Sequence, residues 1–99
     1  MIEVIWEFRV KPQHVADFER DYSSMGPWAA LFRGSPAYRG TRLLRDREDH
    51  LRFLTVDTWN DAGSYALFRD THAKQYEELD RGFERLTDSE QMVGIFEVF

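Results

Sequence analysis

The C-terminal segment QMVGIFEVF limits the possible folds more than any other part of the chain. Read as a strand, it places apolar side chains on both faces: Met92, Phe96 and Val98 on one, Val93, Ile95 and Phe99 on the other. A second predicted strand repeats the pattern, because Leu54 and Val56 lie opposite Leu51 and Phe53. Strands that are apolar on both faces belong to sheets that are covered on both faces. Something must therefore cover each side of this sheet.

Periodicity along the rest of the chain predicts the other elements. Apolar and charged residues alternate over Ile2–Val10, as in a strand with one apolar face. Pro12 then opens a helix with apolar residues at spacings of three and four, and WAALFRG adds a further helical turn. Two more strands form a hairpin that turns at Asp46–His50. Asn60 or Asp61 caps the next helical region, in which Thr71 is expected to start a second helical piece. That region carries the clearest apolar stripe, formed by His72, Tyr76, Leu79, Phe83 and Leu86.

The order strand, helix, strand, strand, helix, strand predicts a ferredoxin-like α+β domain of βαββαβ type. Such a domain has a four-stranded antiparallel sheet with its helices on one face. The 99 residues leave room for one domain, over residues 1–99. Because the helices cover only one face, we expect an identical sheet to cover the other, which predicts a homodimer through the open sheet face.

Charge and composition narrow the classes of partner. Thirteen basic and 18 acidic residues give a net charge of -5, which disfavours nucleic acid and anionic membranes as partners. Cysteine is absent, so disulfides, thiolate nucleophiles and zinc-thiolate sites are excluded. The alternating N-terminus is unlike a secretory leader, and no segment approaches the length of a membrane span. These features predict a cytoplasmic protein.

Three segments resemble a known family: IWEFRVKPQHVADFERDY, GSPAYRGTRLLRD and FLTVDTWNDAGSYALFRDTHAKQY. They are similar to the antibiotic biosynthesis monooxygenase family of the dimeric α+β barrel superfamily. The resemblance implies a dimeric α+β barrel of ferredoxin-like subunits with a cleft between sheet and helices. It also implies one of two activities, since some members are cofactor-free oxygenases of polyaromatic phenols and others degrade haem.

Residue matching separates these two activities. Trp59 and Tyr65 stand where the phenol-oxidising members have a functional Trp and Tyr, although the Asn expected before the Trp is Thr55. In the haem-degrading members an Asn is expected at about Trp6 and the haem-ligating His near Glu78, and both matches fail. The resemblance therefore favours phenol oxidation.

The candidate site residues follow from these matches and from side-chain chemistry. Trp59, with Thr55 and Trp6, is predicted to bind an aromatic substrate, whereas Tyr65 and His72 are predicted to be catalytic. The alternative is that Trp59 and Tyr65 pack the core and that His72 bonds a carbonyl at its edge. No metal site is expected, because the three histidines lie in separate parts of the chain.

Two functions remain open at this point. The first is a cofactor-independent oxygenase of a small aromatic molecule, with no cofactor expected because the sequence has no flavin, nucleotide or metal motif. The second is a non-catalytic homodimeric module that binds a ligand or another protein. A cavity beside Trp59 and Tyr65 would favour the enzyme. A cleft filled by the protein's own Phe and Trp side chains would favour the module.

Overall fold

The computed structural model describes all 99 residues and has the predicted ferredoxin-like α+β fold. Its strands are β1 (Ile2–Val10), β2 (Tyr38–Arg45), β3 (Arg52–Trp59) and β4 (Thr87–Glu97). They form one sheet in the order β2-β3-β1-β4, and each neighbouring pair is antiparallel. β1 and β3 therefore lie in the centre of the sheet, and β2 and β4 form its edges.

The helices are α1 (Val15–Asp21), α2 (Pro27–Phe32), α3 (Ala62–Thr71) and α4 (Ala73–Phe83), with single 3₁₀ turns at Pro12–His14 and Glu84–Leu86. Asp61, one of the two caps considered, begins α3, and its carboxylate accepts a hydrogen bond from the Ser64 backbone N–H at 2.7 Å. None of these helices is both long enough and apolar enough to pass through a bilayer.

The core lies between one face of the sheet and the helices. Because side chains alternate along a strand, Val4, Phe8 and Val10 of β1 point toward the helices and are buried. Phe18 of α1 is completely buried, with its ring 5.2 Å from that of Phe8 and 4.2 Å from that of Tyr22. The helices thus cover a single face of the sheet, as predicted.

The other face of the sheet has no helix over it and mixes apolar residues with ion pairs. Arg42 of β2 pairs with Glu3 of β1 at 2.9 Å. Leu44 and Leu54 lie opposite each other across β2 and β3, and Leu44 is 42% exposed. On this face the edge strand β4 exposes Phe96, which lies opposite Glu3, whereas the exposed Ile95 of β4 lies opposite Val4 on the helix-covered face. This combination leaves an uncovered, partly apolar surface.

One strand differs in extent from the sequence prediction, and the break between two helical pieces, expected at Thr71, lies at His72. β4 begins at Thr87 rather than at Gln91, because Thr87–Glu90 pair with β1 through the backbone and carry no apolar alternation. The helical region after Asp61 is interrupted at His72, whose φ of -110° and ψ of 24° lie outside the helical range. His72 therefore joins α3 to α4 instead of lying inside one helix.

Candidate functional site

A cavity of about 320 Å³ lies between the helix-covered face of the sheet and the helices. Its floor is formed by sheet residues, namely Trp6, Phe8, Thr41, Thr55, Asp57 and Glu90. Its roof comes from Tyr22, Trp28 and Phe32 near α1 and α2, and from Arg69, Tyr76 and Asp80 of α3 and α4. Pockets that bind small molecules have volumes from roughly 300 Å³ upward and largely apolar walls. This cavity is therefore the candidate site.

Asp57 is the buried carboxyl group of the cavity floor. It lies on the inward face of β3 and is only 8% exposed. Its Oδ1 accepts a hydrogen bond from the Thr41 hydroxyl at 2.6 Å, whereas Oδ2 accepts none and no cationic side chain pairs with it. Burial raises the pKa of Asp57 to about 6, and the hydrogen bond from Thr41 offsets only part of that increase. The carboxyl group therefore titrates close to neutral pH.

A β-bulge in β2 allows a chain of hydrogen bonds to run from Asp57 to the protein surface. The register shifts between Tyr38 and Gly40, and Gly40 has a φ of +133°, a conformation that favours glycine. Because of the extra residue, Tyr38 and Thr41 share one face although they are three positions apart. The Tyr38 hydroxyl bonds Thr41 Oγ1, whose own proton goes to Asp57. Tyr38 and Thr41 also line a second, surface pocket.

The roof of the cavity combines aromatic rings with one guanidinium group. Arg69 lies over the Tyr76 ring, 4.3 Å from its centroid, and its Nη1 donates to the Tyr65 hydroxyl at 3.2 Å. Tyr76 meets the Trp28 ring edge-on at 4.8 Å. The Trp28 indole Nε1 is buried and has no hydrogen-bond partner. This wall offers aromatic surface and one cation to the cavity.

Carboxyl groups of α4 and β4 lie at the far end of the cavity. Burial is the main cause that raises the pKa of Glu90, and the neighbouring Asp80 carboxylate raises it further. Glu77 pairs with Arg81 at 2.9 Å, whereas Asp80 and Glu90 form no ion pair. No three His, Cys, Asp or Glu side chains converge in a way that could hold a metal ion.

The structure separates the predicted binding residues into two places. Trp6 and Thr55 line the cavity floor. Trp59 is completely buried outside the cavity lining, with the rings of Tyr38 and Tyr65 each 5.4 Å from its own. Its indole Nε1 is buried without a partner. The space around Trp59 is thus filled by the protein's own aromatic side chains, and the open cavity begins closer to Trp6.

The predicted catalytic residues also lie outside the cavity lining. Tyr65 is buried and accepts the hydrogen bond from Arg69, so it touches a residue of the roof rather than the cavity itself. The His72 ring stacks on Phe68 at 4.2 Å, and its Nδ1 lies 3.2 Å from the Phe68 carbonyl oxygen. Neither their catalytic roles nor the binding roles of the other predicted residues are tested by this geometry, so they stay predictions.

Asp57, Thr41, Arg69, Tyr76 and Glu90 were not among the predicted site residues. Among them Asp57 has a single side-chain partner, Thr41. The alternation of side chains along β3 could have identified Asp57 as a site residue, because Asp57 lies on the same face of the strand as Phe53 and Trp59. An acidic residue on the apolar face of a strand costs desolvation free energy unless it is paired and hydrogen-bonded, so its position there marks it as a candidate functional residue.

The fold and the cavity together define a ferredoxin-like α+β domain with a ligand-sized space between its sheet and its helices. The chain belongs to the antibiotic biosynthesis monooxygenase family, whose family model matches residues 1–79. This membership confirms the resemblance found in the sequence. A comparison with curated proteins found no match.

Similar folds occur among solved structures. A variant of SnoaB, a cofactor-independent oxygenase from Streptomyces nogalater, superposes with a TM-score of 0.78 at 18% identity, covering 98% of this chain and 91% of SnoaB. A conserved protein from Methanosarcina mazei Go1 gives a TM-score of 0.72 at 16% identity, with 99% and 92% of the two chains covered. At these identities the comparison establishes the shared fold.

Proposed function

We propose that the protein is a cofactor-independent oxygenase that converts a phenol to a quinone in the cavity, with Asp57 as general base. The observation that carries the proposal is a carboxyl group with a pKa of about 6 on the floor of an aromatic cavity. Family membership and the fold shared with SnoaB, which is described as a cofactor-independent oxygenase, support this choice.

Asp57 has the geometry that a general base requires. Its Oδ1 is fixed by Thr41, and its Oδ2 is free to accept the proton of a phenol bound above it. A pKa of about 6 leaves the carboxylate mostly ionised at neutral pH while keeping it more basic than an exposed Asp. Trp6 and Tyr76 provide aromatic surfaces against which the substrate ring can stack.

The proposed reaction balances without an external reductant. Deprotonation gives an electron-rich phenolate, which reduces dioxygen directly. One oxygen atom enters the ring and the other leaves as water, so that one phenol and one dioxygen give one quinone and one water. All four electrons come from the substrate. The protein's part is to bind the ring, remove the proton and keep bulk water away from the intermediate.

The chain from Asp57 through Thr41 to Tyr38 gives the proton a route to solvent. The Thr41 hydroxyl donates to Asp57 and accepts from the Tyr38 hydroxyl, so a proton can move outward through Thr41 when the two hydroxyl groups reorient. Tyr38 lines the surface pocket, where the proton can leave. Asp57 can thereby return to its ionised form without opening the cavity.

The predicted roles of Tyr65 and His72 fit this scheme indirectly. Tyr65 holds Arg69, whose guanidinium group faces the cavity and can stabilise negative charge that develops on the substrate oxygen. His72 connects α3 to α4 and so sets the position of both helices of the roof. Tyr65→Phe and His72→Ala test the direct catalytic roles expected from the family resemblance.

A non-catalytic homodimeric module is the second candidate. The dense aromatic packing around Trp59 favours it, because that part of the cleft is filled by Phe32, Tyr38, Tyr65 and Phe68. In both proposals two subunits associate through the uncovered sheet face, where the exposed Leu44 of β2 and Phe96 of β4 lose contact with water.

The two proposals differ in turnover. A panel of monocyclic and polycyclic phenols is incubated with the protein in air and under nitrogen, and quinone formation is followed by absorbance and mass spectrometry. The oxygenase requires oxygen-dependent product, lost at least about 100-fold in Asp57→Asn, as expected for removal of a general base. Asp88→Asn, an exposed carboxyl group of β4, is the matched control. If phenols bind and no product forms from any of them, the oxygenase proposal is rejected and the non-catalytic module is the function that remains.

A further inference from the structure

Phe32, the last residue of α2, forms the wall between the cavity and the aromatic side chains around Trp59. It is only 4% exposed and lines the cavity beside Trp28 and Tyr76, whose ring centroids lie 6.1 Å and 6.3 Å from its own. Phe32 also meets the Trp59 ring edge-on at 5.6 Å. Because Trp59 does not line the cavity, the Phe32 ring separates the open space from the filled part of the cleft.

The region behind Phe32 is filled by side chains of the protein. The rings of Tyr38 and Phe68 lie 5.5 Å and 5.8 Å from Phe32. They lie 5.4 Å and 5.3 Å from Trp59. Ring centroids about 4.5 to 7 Å apart indicate direct contact. Within this cluster Phe32 is the only ring that also lines the cavity, so a smaller side chain at this position extends the cavity toward Trp59.

The volume of the cavity determines the size of the ring system that it can hold. An engineered protein cavity of about 150 Å³ holds one benzene ring, which is about 25 Å³ per carbon atom. On that scale two fused rings need about 250 Å³ and three fused rings need about 350 Å³. The volume of this cavity, about 320 Å³, lies between those two values. A naphthol therefore fits, whereas an anthrol has to displace side chains of the wall.

We propose that Phe32 determines the size specificity of this cavity and limits its ligand to two fused rings. That the ligand is a phenol rests on the proposed function, whereas its size rests on the cavity alone. The family resemblance implied polyaromatic phenols, and this chain departs from that expectation toward smaller substrates. A packed apolar wall can discriminate in this way, because a ligand that overfills it forces the surrounding side chains out of their preferred rotamers.

Fluorescence titration under nitrogen tests the size limit on the unaltered protein. The probes are phenol, a naphthol and an anthrol, which have one, two and three rings. We expect naphthol to bind at least about tenfold more tightly than phenol, because the second ring buries more apolar surface. Anthrol should bind at least about tenfold more weakly than naphthol, because it overfills the cavity. Affinity that keeps rising from naphthol to anthrol, or no binding of any probe, overturns the size limit.

Phe32→Leu tests whether this residue sets the limit. Leucine has three fewer carbon atoms than phenylalanine, so the substitution adds about 75 Å³ and gives the cavity the volume that three rings need. We expect the affinity for anthrol to rise at least about tenfold relative to that for naphthol, because anthrol no longer overfills the cavity. Phe32→Met also removes the ring but retains a flexible apolar side chain, and it should shift the preference in the same direction.

Phe68→Leu is the matched control. Phe68 is also 4% exposed and contacts the same Trp59 ring, but it does not line the cavity. The same substitution there removes equal volume from the aromatic cluster behind the wall. We expect the ratio of the naphthol and anthrol affinities to stay at its wild-type value. An unchanged ratio in both Phe32 variants, or an equal change in Phe68→Leu, contradicts the role assigned to Phe32.

The outcomes separate this proposal from the proposed function, because the titrations measure binding without oxygen. If anthrol binds most tightly and the phenol panel still gives quinone, the size limit is wrong and the oxygenase proposal stands. If naphthol binds most tightly, Phe32→Leu shifts the preference to anthrol and no phenol is ever oxidised, the size limit stands and the oxygenase proposal falls.

Discussion

Replacement of Asp57 by Asn is expected to stabilise the fold at high pH. In the unfolded chain an Asp titrates near its usual pKa of about 3.8, whereas burial raises the pKa of Asp57 to about 6 in the folded protein. The folded state therefore holds its proton more tightly than the unfolded state. Above pH 6 the buried carboxylate is ionised at a cost that the unfolded chain does not have.

The size of the effect follows from the two pKa values. A pKa difference of roughly two corresponds to about 3 kcal/mol of folding free energy. The contribution of Asp57 to the free energy of unfolding of the wild type is fully present below about pH 4. This contribution decreases as pH rises toward 6 and is absent above that value. Asn keeps an oxygen for the Thr41 hydrogen bond and never ionises. The stability difference between variant and wild type should therefore grow by about 2 to 3 kcal/mol from about pH 4 to pH 8.

Urea denaturation of both proteins at a series of pH values and equal protein concentration measures this difference. The pH dependence isolates Asp57, because any fixed cost of the Asn side chain is the same at every pH. Asp88→Asn is the matched control and should show no such growth. A difference that stays constant with pH, or that shrinks as pH rises, refutes the assignment of Asp57 as a buried, unpaired acid.

Three further substitutions probe the core, the uncovered face and the hydrogen-bond chain. Phe18→Ala leaves a cavity at a completely buried position and should cost about 3 to 5 kcal/mol in urea denaturation. Leu44→Glu places charge on the uncovered sheet face and should convert the expected dimer to a folded monomer, as measured by sedimentation; a dimer of unchanged stability contradicts it. Thr41→Val removes the hydrogen bond to Asp57 and should raise its pKa above about 6 in a carbon-13 NMR titration, whereas an unchanged pKa contradicts the geometry.

The architecture could be predicted because its signals are local. Alternation over Ile2–Val10 gave β1 with its observed bounds, and the charged turn at Asp46–His50 separated β2 from β3. Pro12 and the caps at Asp61 mark where helices begin. The start of β4 could not be predicted in this way, because Thr87–Glu90 join the sheet through backbone hydrogen bonds that their polar side chains do not reveal.

The cavity could be predicted only in part, because it depends on packing between distant elements. Trp6 and Thr55 were expected near a ligand and do line the cavity. Trp59 was expected there too, but Phe32 and Phe68 converge on its indole, and no local pattern encodes that convergence. The bulge at Gly40 brings Tyr38 and Thr41 to Asp57, and its register shift becomes evident only once β2 is paired with β3.

A crystal structure of a complex, grown under nitrogen with the phenol that binds most tightly, tests the central claim most directly. Our account predicts that the ring lies between Trp6 and Tyr76, with its hydroxyl oxygen within hydrogen-bond distance of Asp57 Oδ2. A ring bound elsewhere, with the cavity unoccupied or with Asp57 making no contact to the ligand, would contradict it.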